Sequence, residues 1–441
     1  MANKPLRLSM AVVWIAGFVL LAVAPLLLLI ATAVPPATHF AWDFAIGLGF
    51  GATMLLLLMS LLIARFRLLT APFGIDIIYY FHRQVALLML LLVLAHLLTL
   101  LSVEPLLVYL FKWPGDPVVW TGTGATITII ALIVTALARK RLHIAYETWR
   151  RFHAGAAIVA VLLTLAHLWS VSYYSGVSPH SGLWITLAVG WLLLTLFVRL
   201  VKPLWQMARP YQVKTVTAQQ GNSWSLTIEP VGHGGLGFKP GQFAWISTRH
   251  SPFALAEHPF SFSSSVDDCP QLEFTIKQLG DYSSTIKDLK PGEPVYVDGP
   301  YGVFSIDQYD APGYMFIAGG IGIAPIISML RTLSARSDQR PLTLIFANCS
   351  SDSIIYKQEL DQLSQYLNLK LVHVLTEAPT DWQCEIGMVN HDLLCRHLSP
   401  VQSQWHYFVC GPTPMMKVVE RSLHKQGISY GHIHSEIFNL I

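Results

Sequence analysis

FHRQVALLMLLLVLAHL, residues 81–97, holds two histidines in a run with no other polar group between Gln84 and His96. His82 and His96 are fourteen residues apart, which on an α-helix is about 21 Å of rise and within about 40° of four whole turns, so both rings leave one face. A second run repeats the pattern: in FHAGAAIVAVLLTLAHLWS, residues 152–170, His153 and His167 are also fourteen apart. Two parallel helices then present two histidine pairs at two matching depths, and each pair can clamp one flat metal macrocycle. A lone intramembrane histidine is commonly a hydrogen-bonded packing residue. Two equal spacings on separate apolar runs are hard to explain by packing, and they point to a bis-histidine haem at each depth. Zinc fits less well, because histidines about four turns apart on one helix cannot converge on a small ion.

Outward from these runs, the chain has 441 residues, 53% hydrophobic and 12% charged, which lies outside the usual soluble range. The excess sits in the first half. Apolar runs at 8–34, 44–64, 77–101, 126–138, 154–171 and 183–201 predict a six-span bundle in a lipid bilayer, the fourth long enough only if 122–127 joins it. The first run is long, with no clear small-residue cleavage site before the next span, so it is expected to be retained as a helix. Lysine and arginine in short loops, within a few residues of the span ends, stay cytoplasmic. Lys4 and Arg7 precede the first span, Arg65 and Arg67 follow the second, Arg139, Lys140, Arg141, Arg150 and Arg151 lie between the fourth and fifth, and Arg199 and Lys202 close the sixth. Both termini are therefore expected in the cytoplasm, on a multi-pass protein of the plasma (inner) membrane. His82 and His153 then lie at the inner level, His96 and His167 at the outer. Arg83, Arg150 and Arg151 stand where propionates of an inner haem would emerge, although positive-inside sorting alone accounts for them. Met89 and Ala160, midway between the histidines of their helices, read as packing. His39, His180, Trp169, Tyr173 and Tyr174 read as interfacial belt residues near the outer face.

After Val201 a soluble half begins. The pieces QVKTVTA, SWSLTIEP, FAWISTR, FSFSSS, LEFTIKQL and PVYVDGPYG predict six short strands of an antiparallel β-barrel between about 211 and 305. Beyond Pro312, YMFIAGG, LTLIFANC, LKLVHVLT and HYFVCGP alternate with helical stretches after Ile321, Tyr356, Asn390 and Pro412, the pattern of a doubly wound α/β nucleotide-binding domain. The expected domains are 1–203, 204–310 and 311–441. GGIGIAP, residues 319–325, joins the first of these strands to its helix. Glycines there let backbone approach a pyrophosphate at a helix N-terminus, and Pro325 fits an early helical position. All five cysteines, at 269, 349, 384, 395 and 410, fall in the soluble half, as suits a reducing cytosol.

Further motifs complete the set: PGQF at 240–243, HPFSFSS at 258–264, IKQLGDYSS at 276–284, DGPYG at 298–302, VCGPTPMM at 409–416 and SEIF at 435–438. With GGIGIAP they resemble the ferredoxin-NADP⁺ reductase superfamily. With the six spans and four histidines in front, the chain resembles the membrane flavocytochromes of the ferric reductase and NADPH oxidase superfamily. The resemblance implies that His258, Pro259 and Phe260 lie along FAD, with Ser261 near its reactive nitrogen. Lys277, Gly280, Ser283 and Ser284 would support the flavin phosphates. Gly320, Gly322, Ala324 and Pro325 would take the pyrophosphate of NADPH or NADH, while Cys410, Gly411 and Pro412 border the nicotinamide. Phe438 matches the terminal aromatic that covers the flavin ring, with Asn439 to Ile441 following it.

The activity implied is electron transfer from NAD(P)H through FAD and two haems to an acceptor at the outer face. Ferric chelates, dioxygen, a quinone or a partner protein are the candidate acceptors, and no nucleic acid is expected. In superoxide-forming oxidases a further histidine commonly follows the second haem ligand by one turn. Leu100 stands there, which speaks against a dedicated oxidase. A membrane-anchored flavin reductase and a haem subunit serving a separate enzyme are the competing readings. At the end of the second strand, Ser350 and Ser351 with Asp352 beyond predict a modest preference for NADPH, with Lys357 or Arg331 reaching the phosphate across the fold.

Overall fold

The computed structural model describes residues 4–32, 40–66, 73–103, 116–171, 175–176, 178–398 and 400–436. The chain divides into two compact units, Pro5–Pro203 and one made chiefly of Leu204–Ile441.

In the first unit six helices are long and apolar enough to cross a membrane, so this is the multi-pass membrane part of the protein. They are α1 (Lys4–Ala31), α2 (Phe40–Leu62), α3 (Ile75–Val103), α4 (Pro117–Ala138), α5 (Tyr146–Ser170) and α6 (His180–Leu196). The last runs on through a wider turn at Phe197–Val201 into Lys202–Met207. The short fourth run is extended at its N-terminus, because Pro117 opens α4 and Asp116 caps it, accepting from the Val118 amide at 2.8 Å. Polar residues are absorbed on the way: the hydroxyls of Thr121, Thr126 and Thr128 donate to carbonyls one turn back, Pro117, Gly122 and Gly124. Satisfied inside their own helix, they can lie at membrane depth. Met89 and Ala160, 2% and 0% exposed, pack in one cluster with Val85, Leu56, Leu132 and Trp191. Both residues are thus packed in the core, as expected.

The second unit opens with a six-stranded antiparallel sheet: β1 (Tyr211–Gln219), β2 (Ser223–Pro230), β3 (Phe243–Thr248), β4 (His258–Ser261), β5 (Leu272–Lys277) and β6 (Pro294–Tyr301), in the order β4-β3-β6-β1-β2-β5. Its outer strands meet. Phe262 bridges Phe274, and the Ser263 amide donates to the Glu273 carbonyl at 2.8 Å, so the sheet curls closed around Leu226, Ile228, Ala244, Phe262 and Phe274. A one-turn helix, α7 (Asp281–Ser284), follows β5. The FSFSSS strand is shorter than expected and stops at Ser261. Its serines leave the ladder for better partners: the Ser264 carbonyl accepts from the Ser328 hydroxyl at 2.7 Å, and Ser265 caps the turn Val266–Asp268.

The last six strands are β7 (Tyr314–Gly319), β8 (Leu342–Asn348), β9 (Leu369–Leu375), β10 (Glu385–Ile386), β11 (His406–Cys410) and β12 (Ile433–Glu436). They form a parallel sheet in the order β10-β9-β8-β7-β11-β12. Helices α8 (Ile323–Ala335), α9 (Lys357–Tyr366), α10 (His391–His397) and α11 (Thr413–Lys425) accompany it. β7 and β11 are buried along their whole length, as continuous apolar runs covered on both faces should be. Strand order reverses between β7 and β11, and the crevice at their carboxyl ends is where doubly wound sheets bind ligands. The four apolar strands and four helix starts match the expectation, while the short edge strands β10 and β12 were not anticipated.

Candidate functional site

His96 on α3 and His167 on α5 come together with ring centres 6.5 Å apart and planes at 80°. Nδ1 of His96 lies 2.7 Å from the Ala45 carbonyl of α2, and Nδ1 of His167 lies 2.8 Å from the Val118 carbonyl of α4. A carbonyl only accepts, so each Nδ1 carries the proton and each Nε2 keeps its lone pair. Two neutral imidazoles oriented through their outer nitrogens form the donor set of axial haem ligation. A metal-bound imidazole nitrogen lies about 2 Å from its metal, so rings on opposite sides of one ion have centres roughly 6 Å apart. The observed spacing fits that arrangement.

His82 and His153 also lie within electrostatic range of each other. Both have buried Nδ1 atoms with no hydrogen bond of ordinary geometry, although His82 is turned toward the Met59 carbonyl of α2. Trp149 lies beside His153, ring centres 5.0 Å apart. Arg83 is exposed, and Arg151 donates through Nε to the Glu147 carbonyl of its own helix at 3.3 Å. His180 departs from the belt reading. It is fully buried, and its Nε2 lies 2.7 Å from the Thr32 hydroxyl. Trp169 is 64% exposed. His39, Tyr173, Tyr174 and Phe438 lie outside the described residues.

In the barrel, β4 carries His258, Pro259, Phe260 and Ser261 side by side. The Ser261 hydroxyl is buried and has no hydrogen-bond partner, which is unusual for so cheaply satisfied a group and fits a hydroxyl meant for a bound flavin. His258 stacks on Tyr282, ring centres 3.9 Å apart. Tyr282 is held in turn: its hydroxyl donates to the Ile246 carbonyl and accepts from the Thr248 amide, each at 3.2 Å. Burial pushes its phenol up to about 12. Sequence reasoning passed over this residue, whose only signal is its place inside IKQLGDYSS. Lys277 ends β5. Gly280 precedes α7, and the Ser283 hydroxyl accepts from the Leu279 and Gly280 amides at 2.9 Å each. Ser284 donates to the Gly280 carbonyl at 2.8 Å. The two serines therefore shape the turn expected to face the phosphates.

At the crevice of the parallel sheet, Gly320 has φ +52° and open space where a Cβ would stand, so it alone of the GGIG glycines leaves backbone clear for a ligand. Gly322 is also required by packing. A Cβ there would stand 2.3 Å from the Cys410 carbonyl oxygen, and one at Gly411 would stand 3.0 Å from the Gly319 amide nitrogen. The turns after β7 and β11 thus press backbone to backbone. Ala324 and Pro325 are buried in the first turn of α8, and Pro412 precedes α11. Cys410 is fully buried, and burial, with the Glu436 charge added, pushes its thiol well up. Glu436 is opposite Cys410 in the β11–β12 register, and its carboxylate lies 3.1 Å from where a Gly302 Cβ would be. It was not singled out in the sequence beyond its place in SEIF.

Two groups expected near the dinucleotide phosphate are otherwise engaged. Arg331 donates to both oxygens of Glu359 at 2.5 and 2.8 Å, to Glu273 at 2.7 Å and to the Ser263 carbonyl at 2.7 Å. Burial would lower its pKa, but the bonds to Glu359 and the Glu273 charge more than reverse this and keep it charged. It ties the barrel to the nucleotide domain. The Ser351 hydroxyl donates to Asp352 at 3.3 Å, while Asn348 has a buried side-chain nitrogen with no partner. Lys357 lies over the Trp382 ring at 5.9 Å.

Comparison with known proteins gives the same three parts. Residues 48–164 match the family described as "Ferric reductase like transmembrane component", residues 210–305 an "FAD-binding domain" and residues 316–421 an "Oxidoreductase NAD-binding domain". NADH-cytochrome b5 reductase 1 of Mortierella alpina is 32% identical over 36% of this chain and 55% of its own. The reductase component of propane 2-monooxygenase from Mycolicibacterium goodii is 28% identical over 49% of this chain and 64% of its own. The chain thus spans between about half and two thirds of these relatives. The flavohem-like FAD/NAD-binding domain of a nitric oxide dioxygenase from Vibrio cholerae aligns over 52% of this chain and 97% of its own, with 21% identity and a TM-score of 0.46. This chain therefore joins a ferric reductase-like transmembrane domain to FAD-binding and NAD-binding domains of the ferredoxin-NADP reductase type.

Proposed function

We propose that the protein is an NAD(P)H-dependent membrane oxidoreductase of ferric reductase or NADPH oxidase type, carrying electrons from cytoplasmic NAD(P)H to an acceptor on the outer face. The observation that carries this reading is the His96–His167 pair, with ring centres 6.5 Å apart and both Nδ1 protons committed to backbone carbonyls. The proposed division is residues 1–203 for the membrane haem domain, 204–310 for FAD and 311–441 for NAD(P). Bound FAD supplies the exchange of a hydride for single electrons, and two b-type haems supply carriage one electron at a time.

The chain's own residues hold and orient. His82 and His153 would hold the inner haem, His96 and His167 the outer. Ser261 presents an unpaired hydroxyl to the flavin, and His258 on Tyr282 forms the wall beside it. Lys277 and the Gly280–Ser284 turn receive the flavin phosphates. Gly320, with the amides opening α8, receives the dinucleotide pyrophosphate, and Cys410, protonated and buried, packs against the nicotinamide beside Gly411 and Pro412. With His96 and His167 both engaged in holding the outer haem, no ligand place would be left for an acceptor, which would instead meet the protein at its outer surface. Ferric chelate, dioxygen, quinone and partner protein remain the candidates. The lysines and arginines beside the spans support cytoplasmic termini and a plasma (inner) membrane. With Arg331 committed elsewhere, the Ser350 and Ser351 hydroxyls beyond β8 would take the phosphate, giving a modest preference for NADPH with NADH still used.

The test is NAD(P)H-driven reduction of ferric chelate, dioxygen and quinone, compared side by side with the full chain in proteoliposomes. A reduced b-type haem spectrum with at least one acceptor reduced across the bilayer is expected. Flavin retained without any b-type signal would overturn the reading in favour of a membrane-anchored flavin reductase, and turnover only with an added protein would make the chain a donor subunit.

A further inference from the structure

The two outer histidines share a setting that no motif marks. Each imidazole lies against a glycine of the neighbouring helix. A Cβ at Gly49 would stand 3.1 Å from Nδ1 and 3.2 Å from Cε1 of His96, and one at Gly122 would stand 2.9 Å from the same two atoms of His167. The carbonyls that accept from those rings are one turn earlier on the same helices. Ala45 precedes Gly49 by four residues, and Val118 precedes Gly122 by four.

The repeat has a physical reason. A helical carbonyl already accepts from the amide four residues on, but its second lone pair is open to a donor arriving from the side. Side chains on a helix tilt toward its N-terminus, so residue i+4 covers the turn in which carbonyl i sits. Only glycine at i+4 leaves room for a whole ring to lie flat over that turn. The other glycines of these helices are not used in this way: Gly47 and Gly51 would meet only leucine side-chain carbons, at 3.4 and 3.7 Å, and Gly124 would meet only Leu163. Nor does any glycine of α2, α4 or α5 stand against His82 or His153, whose Nδ1 atoms have no such bond.

We infer that Gly49 and Gly122 are positioning residues, which uncover the Ala45 and Val118 carbonyls and so fix the tautomer and ring plane of the two outer axial ligands. This rests on the reading of His96 and His167 as those ligands. The inner pair has no such glycine steps: His82 is turned toward the Met59 carbonyl without ordinary hydrogen-bond geometry and the Nδ1 of His153 has no carbonyl partner, so the two haem levels would differ electronically, because a ligand whose outer nitrogen donates to a carbonyl is the more basic one.

The experiment uses the purified full chain, with haem counted against FAD and the ferric haems observed by electron paramagnetic resonance during a redox titration. The parent protein should show two low-spin signals. In Gly49→Ala and, separately, Gly122→Ala, one signal should be lost or displaced, its midpoint should move to higher potential or its haem vanish, and haem per FAD should fall by up to half. The other signal should stay where it was. Alanine forms helix better than glycine, so the helices themselves are not the cause. Retained FAD with normal NAD(P)H-to-flavin transfer shows that the soluble unit has folded. Gly51→Ala, whose methyl meets only a leucine at ordinary distance, should match the parent. Both signals and both midpoints unchanged in Gly49→Ala and Gly122→Ala overturn the inference. Absence of any low-spin haem from the parent protein overturns the ligand reading instead.

Discussion

Glycine serves both halves of this molecule, and for opposite ends. In the membrane unit Gly49 and Gly122 clear a place for a side chain, an imidazole that has torsions with which to yield. In the soluble unit Gly322 clears a place for main chain, since its Cβ would stand 2.3 Å from the Cys410 carbonyl oxygen, and main chain between two strand ends has nowhere to go. The difference teaches where a methyl group is a local perturbation and where it is a break in the fold.

The sharpest way to break the comparison is Gly322→Ala. It should cost about 3 kcal/mol or more of nucleotide-domain stability, as overpacking against fixed backbone does, and abolish NAD(P)H-driven flavin reduction. Thermal unfolding and rapid mixing would record both, and a variant that unfolds and reacts like the parent removes the contrast. Next comes ligand removal. His96→Ala or His167→Ala should abolish acceptor reduction and the outer haem, while NAD(P)H-to-flavin transfer survives. Two haems per chain in both variants would sink the pairing. A smaller effect is expected in the flavin wall, where Ser261→Ala should slow flavin reduction about tenfold, or about 1.4 kcal/mol in transition-state binding, with FAD retention little changed. An unchanged rate on rapid mixing would count against the hydroxyl. Smallest of all is Asp352→Ala. By removing a carboxylate from the β8 end it should raise the NADPH-to-NADH ratio of kcat/KM by about threefold, under 1 kcal/mol; a ratio that does not move would place phosphate discrimination elsewhere.

Local signals were legible in the chain. The six spans, the fourteen-residue histidine spacing, the six barrel strands, the four central strands of the parallel sheet and the helices beginning after Ile321, Tyr356, Asn390 and Pro412 follow from period, punctuation and motif, whereas the short edge strands β10 and β12 do not. What escaped depends on residues far apart in sequence. Arg331 looked available for a phosphate until Glu273 and Glu359 came to it from other elements. His180 looked interfacial until Thr32 covered it. The spacing of Gly49 from Ala45 and of Gly122 from Val118 is visible to anyone, but it carries no meaning until a histidine from another helix arrives. Similarly, the FSFSSS stretch has strand character throughout, and only the neighbouring Ser328 hydroxyl and a turn cap divert its last serines.

The Arg331 knot has a consequence for anyone who would take the reductase apart. Glu273 belongs to the stretch matched by the FAD-binding family, while Arg331 and Glu359 belong to the stretch matched by the NAD-binding one. The seam between two modules is therefore closed by a charge from each side, reinforced by Tyr356, whose hydroxyl lies 2.8 Å from Ser225 and donates to Glu273 at 3.0 Å. Removing one member of this half-buried cluster leaves its partner charge without its counter-ion in a partly dry seam. A chimera that borrows either module from a foreign reductase must bring the matching partner with it, so the unit of exchange in this protein is the pair of modules and not the single one.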